Sequence, residues 1–160
     1  GHLAGELFKM ETGTDVAHIP YKGGAPALQA LLAGDTQFMF DNLANAMAQV
    51  KGGKVRAIAV TTAQRSKLAP ELPTMAEAGV PGFDITTWFG LLAPAGTPPE
   101  VVAKWNADVV KILNSPDMRE RLTATGAEPA PTTPQEFAAF IQRELVKYAR
   151  IVKASGARVD

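Results

Sequence analysis

Cysteine is absent from the 160 residues, which excludes disulfides, a thiolate nucleophile and any cysteine metal site. Histidine is nearly absent. His2 and His18 are the only two, and neither has a partner four residues on, so no histidine metal site is expected. Ser66, Ser115 and Ser155 are the only serines, and all lie in polar or loop contexts without the glycines of a nucleophile elbow. An excess of one charge is missing too: 16 basic residues balance 16 acidic ones, and no basic cluster exceeds two residues. That argues against a nucleic-acid partner, whose phosphates call for a basic stripe. No apolar run approaches the ~20 residues that span a bilayer. The first residue is not Met, and the residues after it do not read as a signal peptide, so none is expected in this stretch. Gly23-Gly24 is not followed by Gly-Lys-Ser/Thr, and no GxGxxG opens a helix, so no nucleotide cofactor is expected. Asp15, Asp35, Asp41 and Asp84 show no spacing that pairs carboxylates for acid/base work. No catalytic residue is assigned.

What is present is an apolar α/β pattern. The chain is 46% hydrophobic, enough for one ordinary domain core or one and a half small lobes. Residues 16–42 read as strand, turn, helix, turn, strand. Val16 to Pro20 is short and β-branched, as a buried strand requires. Tyr21-Lys22-Gly23-Gly24 breaks regularity, and Pro26 suits a first helical turn. Leu28, Leu31 and Leu32 recur at helical spacing until Gly34-Asp35 stops them, and Gln37 to Phe40 is the next strand. A right-handed crossover makes the two strands parallel. Ligands on open parallel sheets bind beyond the carboxyl ends of the strands. Here those ends carry Tyr21, Lys22, Gly23 and Gly24 on one side and Asp41 and Asn42 on the other. Free N–H groups at a helix start attract an anion, although most glycine turns only turn the chain.

The flanks extend the pattern. Leu3, Leu7, Phe8 and Met10 form a helical stripe that starts without a cap, as expected of a chain cut just upstream of a helix. A second helix runs from Asn42 to Val50, and a third strand from Val55 to Val60 ends at Thr61, another candidate ligand donor. Thr74 and Glu77 have the capping-box spacing of a short helix. Phe83 to Pro94 reads as a buried extended crossing with Trp88 in the core, and Thr97 as the cap of a helix beginning at Pro98 or Pro99. Beyond it the chain is helical. Val101, Val102, Trp105, Val109 and Ile112 mark one buried stripe, and Phe137, Phe140, Ile141, Leu145, Tyr148 and Ile151 another, with a short helix from Ser115-Pro116 between them.

HLAGELF, HIPYKGGAPALQALLAGD, FMFDN, VRAIAVTTAQRS, LPTMAEAGVPGF and WFGLLAPAGTPPEVV, in this order and spacing, resemble the Bug family, the extracytoplasmic solute receptors of tripartite tricarboxylate transporters. The resemblance implies a type II-like periplasmic binding protein lobe with a mostly parallel sheet. Residues 1–86 would be the second lobe, and residues 87–160 the return crossing and helices that pack on a first lobe absent from this chain. It further implies a periplasmic receptor that captures a small carboxylate solute and passes it to membrane permease subunits. By the resemblance, Tyr21, Lys22, Gly23, Gly24, Ala25 and Pro26 would be the cleft-lining turn and helix start. Asp41 would be the cleft-facing acidic position, accepting from an ammonium or hydroxyl or orienting a water. Trp88-Phe89-Gly90 would be the hinge. The alternative from another class is a small α/β enzyme acting on a carboxylate or phosphate, with Asp41 and His18 converging as acid and base. A chain of this length could also pair with a second copy through its exposed half-core.

Overall fold

The structure, a computed structural model, describes residues 1–157. Those residues form six helices: α1 (His2–Thr12), α2 (Gly24–Ala33), α3 (Leu43–Lys51), α4 (Pro99–Leu113), α5 (Pro116–Ala124) and α6 (Pro134–Ser155). They group into two compact units, one made of Gly1–Thr87 and the segment from Ile151 onward, the other of Trp88–Arg150.

The first unit is built on three helices whose ends follow from the sequence. Gly13 and Gly34 close α1 and α2 in the left-handed conformation that glycine adopts without a Cβ clash, and their N–H groups bond back to the last helical turn. Between the helices the backbone is extended but unpaired. The segments 16–20 and 37–40 exchange no backbone hydrogen bonds, so the parallel sheet expected here does not form among the described residues. Among the described residues the single bridge is parallel, Val60 to Thr74, made by Val60 N–H to Pro73 O at 2.8 Å and Met75 N–H to Val60 O at 3.0 Å. Apolar alternation dictates which face a segment buries, whereas a ladder also needs a neighbour to accept each N–H. The alternation is obeyed. Phe38 and Phe40, two residues apart, both turn toward Phe8, with ring centroids 5.8 and 6.1 Å away, and Phe40 stacks on the fully buried Phe83 at 5.9 Å.

Residues 73–79 make a turn where a short helix was expected, although the capping box itself is complete. Thr74 N–H donates to Glu77 Oε2 at 2.8 Å and Glu77 N–H to Thr74 Oγ1 at 3.1 Å. Gly79, at a φ of 103°, stops the turn before a helical repeat can follow.

In the second unit Trp88 is 38% exposed, so it is an edge of the packing and not its core. Its ring meets Phe137 and Phe140 edge-on, at 5.7 and 5.2 Å. The helix after Pro98 has Pro98 itself as N-cap, because Thr97 turns its hydroxyl back to Pro94 O at 2.8 Å. Ser115 caps α5 as its position suggests, accepting from Met118 N–H. No residue of α4 is buried, and the stripe read as buried there stands open at Val101, Trp105 and Ile112. On α6 the stripe passes through Glu144, which is buried, and leaves Leu145 59% exposed. Steps of three and four from Phe140 and Ile141 lead to Glu144 and then Tyr148, so helical geometry places Leu145 off the stripe. Lys147 Nζ pairs with Glu144 Oε1 at 2.6 Å.

Candidate functional site

The chain turns at Tyr21–Gly23 because Gly23 takes a φ of 104° with ψ at 175°, a region that side chains disfavour. Gly23 N–H bonds to Tyr21 O at 2.8 Å, which tightens the turn, and Gly23 becomes the N-cap of α2. All six residues from Tyr21 to Pro26 are exposed, and Lys22 has no hydrogen-bond or ion-pair partner among the described residues. Pro26 lies in the first turn of α2, where its missing N–H leaves no intrahelical bond unmade.

This turn meets the end of the next extended segment. A side-chain carbon on Gly24 would lie at ordinary contact distance, 3.6 Å from Asp41 Oδ1 and 3.7 Å from Asn45 Nδ2, so α2 starts beside the Asp41 carboxylate. Asn42 is the N-cap of α3, and its side chain makes no capping hydrogen bond. Instead Asp41 Oδ1 accepts Asn42 N–H at 2.8 Å and Asn45 Nδ2 at 3.4 Å. Oδ2 of Asp41 is shut off from solvent and has no hydrogen-bond partner. The amino end of α1 reaches the same place: a side-chain carbon on Gly1 would lie 3.1 Å from Phe40 O.

Three helix starts, those of α1, α2 and α3, therefore abut the tripeptide Phe40-Asp41-Asn42, and none is capped by a side chain. Each carries about +0.5 elementary charge from its unpaired N–H groups. By contrast Ser115 caps α5, and Thr133 with Glu136 closes a capping box at α6. The geometry suits one or more anionic oxygens held by backbone donors, without an arginine.

Of the residues expected to line a site, Gly24, Asp41 and Asn42 come together, with Tyr21, Lys22, Gly23, Ala25 and Pro26 forming the turn and helix start beside them. Thr61 is engaged elsewhere through its backbone, its carbonyl accepting Ile85 N–H at 3.0 Å. Asn45 and the Gly1 backbone were not anticipated. The signal for Asn45 was the i to i+4 spacing from Asp41 across the first turn of α3.

His18 stacks flat on His2, with centroids 3.9 Å apart and planes 1° apart. Glu6 Oε1 lies 3.8 Å from His2 Nε2 and 3.1 Å from Lys9 Nζ. Partial burial, then the His2 ring and Lys9, push the His18 imidazole below its ordinary range, against an opposing pull from Glu6. Among the described residues no hydrogen bond joins His18 to Asp41: His18 stacks on His2, and Asp41 bonds Asn42 and Asn45.

Known proteins share this whole framework. Residues 1–157 match the model of the family described as tripartite tricarboxylate transporter family receptor. The chain is 36% identical over 158 residues to Protein BugT of Bordetella pertussis, covering 99% of this chain and 48% of that protein. The solved structure of R. palustris Rpa4515 with adipate is similar at a TM-score of 0.82 and 40% identity, over 98% of this chain and 52% of that one. The periplasmic binding protein BugD is similar at a TM-score of 0.76 and 36% identity, over 97% and 52% respectively. The chain thus spans about half the length of these relatives. With the family model matched from the first residue to the last described one, this chain belongs to the tripartite tricarboxylate transporter receptor family.

Proposed function

We propose that this chain is part of a periplasmic receptor that captures a small carboxylate-bearing solute and delivers it to the membrane permease of a tripartite transporter. The observation that carries the reading is the meeting of three uncapped helix starts on Phe40-Asp41-Asn42, in a member of a receptor family. Backbone N–H groups at those starts hold carboxylate oxygens, and the exposed Lys22 adds a positive charge on the adjoining turn. In this reading Tyr21 to Pro26, Asp41 and Asn42 line the site, and Thr61, whose carbonyl accepts Ile85 N–H, is offered as a further donor through its hydroxyl. The protein works by binding and release, not by turnover.

In this reading the mostly parallel sheet of a type II-like lobe is completed by the part of the receptor that this chain does not span. Residues 1–86 form one α/β lobe, and residues 87–160 supply the return crossing and the helices that pack on the other. The open apolar side chains Phe89, Leu91, Leu92 and Trp105, 62–89% exposed, support that packing. Lobes of this kind close around the solute, and the closed form is what the permease recognises.

The test is a thermal-shift screen of the complete protein against a panel of carboxylates, with nucleotide and metal controls. A solute that binds only the native state raises the melting temperature by mass action. A shift with one or more carboxylates supports the receptor reading. Turnover of a carboxylate, or a shift only with nucleotide or metal, overturns it.

A further inference from the structure

We propose that the stacked imidazoles of His2 and His18 form an acid-sensitive latch, which holds the segment leading into the Tyr21 turn against α1 and lets it go when both rings are charged. Its consequence for the solute rests on the receptor reading, whereas the latch itself does not. The rings lie face to face, with centroids 3.9 Å apart and planes 1° apart. His2 belongs to the first turn of α1, a helix fixed by the buried Ala4 and Leu7. His18 belongs to a segment held differently. Among the described residues Asp15 to Pro20 make no hydrogen bond or ion pair, and the stack is their one ring contact.

What the stack holds is carried forward to the turn. Proline fixes its own φ and restricts the residue before it to extended angles, so Ile19-Pro20 is a stiff link between His18 and Tyr21. Three extended residues span about 10 Å. A His18 ring that leaves His2 therefore takes the start of the Tyr21–Gly23 turn with it.

Neutral imidazoles stack as aromatic rings do, whereas two imidazolium ions so placed are like charges in contact. At about 4 Å that repulsion amounts to about fivefold in an equilibrium constant even in bulk water. Partial burial and then the His2 ring keep His18 neutral below its ordinary value of 6.5, so the latch is shut at neutral pH and opens on the acid side. Three more charges face the pair. Glu6, whose Oε1 lies 3.8 Å from His2 Nε2, favours a charged ring, while Lys9 and the amino group of Gly1 oppose it. Lys9 Nζ already pairs with Glu6 at 3.1 Å, which blunts both. Among the described residues no other element brings a charge onto the His18 ring. A receptor so built holds its solute at neutral pH and releases it more readily in acid.

The experiment is a titration of the complete protein from about pH 7.5 to about 5, following by NMR the ring signals of both histidines and the amide signals of Lys22, Gly23 and Gly24. The turn amides should move with the His18 midpoint, and the ring-to-ring Overhauser contacts should fade over the same range. In His2→Phe the turn should stay still, because a charged His18 then meets an aromatic face that attracts a cation. His18→Gln replaces that variant if it fails to fold. Turn signals that ignore His18, or that move equally in the variant, overturn the inference. Isothermal titration of adipate and malate over the same range reads the consequence. Affinity should fall about fivefold more in the unmodified protein than in the variant, since both meet a solute of the same charge. An equal fall overturns the inference and leaves the receptor reading intact. Failure to bind any carboxylate overturns the receptor reading, and the turn signals then decide the latch alone.

Discussion

Phe137 lays its ring against Gly90 so closely that a side-chain carbon on Gly90 would overlap the ring edge. Trp88, two residues earlier, meets the same ring edge-on at 5.7 Å, so the extended segment grips Phe137 from both sides of Phe89. Gly90 is required for this close approach and not for its backbone angles, since its φ is not positive.

Gly90→Ala should therefore destabilise the protein by about 1–3 kcal/mol, the cost of forcing an extra carbon into a formed contact. Differential scanning calorimetry reads it as a lower melting temperature. The double variant with Phe137→Leu should lose less than the two single changes combined, because both act on one contact. Full additivity would remove the contact as the cause.

Gly23 makes the opposite case. Nothing lies within 4 Å of the side-chain carbon it lacks, but its φ of 104° is strained for any other residue. Gly23→Ala should cost about 1–3 kcal/mol through the backbone alone. The turn would relax and misplace the start of α2, so affinity for a carboxylate should fall together with stability. Titration calorimetry beside thermal melts checks both, and an unchanged affinity would take this turn out of the site.

These two glycines show what was legible. Gly23 stands out in sequence as half of a glycine pair after a strand-like segment. Gly90 does not, because its reason is a ring about fifty positions away. Much of the helix pattern was legible from local chemistry: the Leu28, Leu31 and Leu32 spacing, the stop at Gly34 and the Ser115 cap all hold. The Thr74–Glu77 box, however, makes only a turn, and Thr97 leaves the cap to Pro98. The sheet was not, since alternation in Phe38 and Phe40 says which side is apolar but not which backbone supplies the hydrogen bonds. Periodicity marked the apolar face of α4 equally well, yet it cannot say what covers that face, and Trp105 stands 62% exposed. Within the site, Gly24, Asp41 and Asn42 were readable as strand-end positions. Asn45 was hidden inside an ordinary helix pattern.

The His2–His18 stack should make stability depend on pH on the acid side of neutrality. The fold lowers the His18 pKa from 6.5, so the folded state prefers the neutral ring. Its contribution is complete above 6.5 and is lost as pH falls from there through the lowered value. Glu6 and Lys9 face the same pair, so the midpoint should move with salt. Thermal melts between pH 7.5 and about 5 should fall for the unmodified protein and flatten for His18→Gln. An identical slope in that variant would assign the dependence to other groups.

A second pH window belongs to the two capping boxes. Glu77 is held below its ordinary value of 4.5 chiefly by the Thr74 N–H and then by Arg65, whose Nε donates to Oε2 at 2.8 Å. Glu136 is held low by the Thr133 N–H and then by its hydroxyl. A lowered carboxyl pKa stabilises the fold above the ordinary value, and that stabilisation is lost as pH falls through the lowered one. Both side chains are exposed, so the effect is modest and local. It should appear as earlier fraying of the α6 start, read as faster amide exchange after Thr133 as pH falls below 4.5, once intrinsic rates are corrected. Glu136→Gln keeps the shape of the box and removes its titration, so it should show that faster exchange already at pH 7. If the variant exchanges like the unmodified protein at pH 7, the carboxylate is not what secures the helix start, and the Thr133 hydroxyl alone, accepting Glu136 N–H at 3.2 Å, suffices.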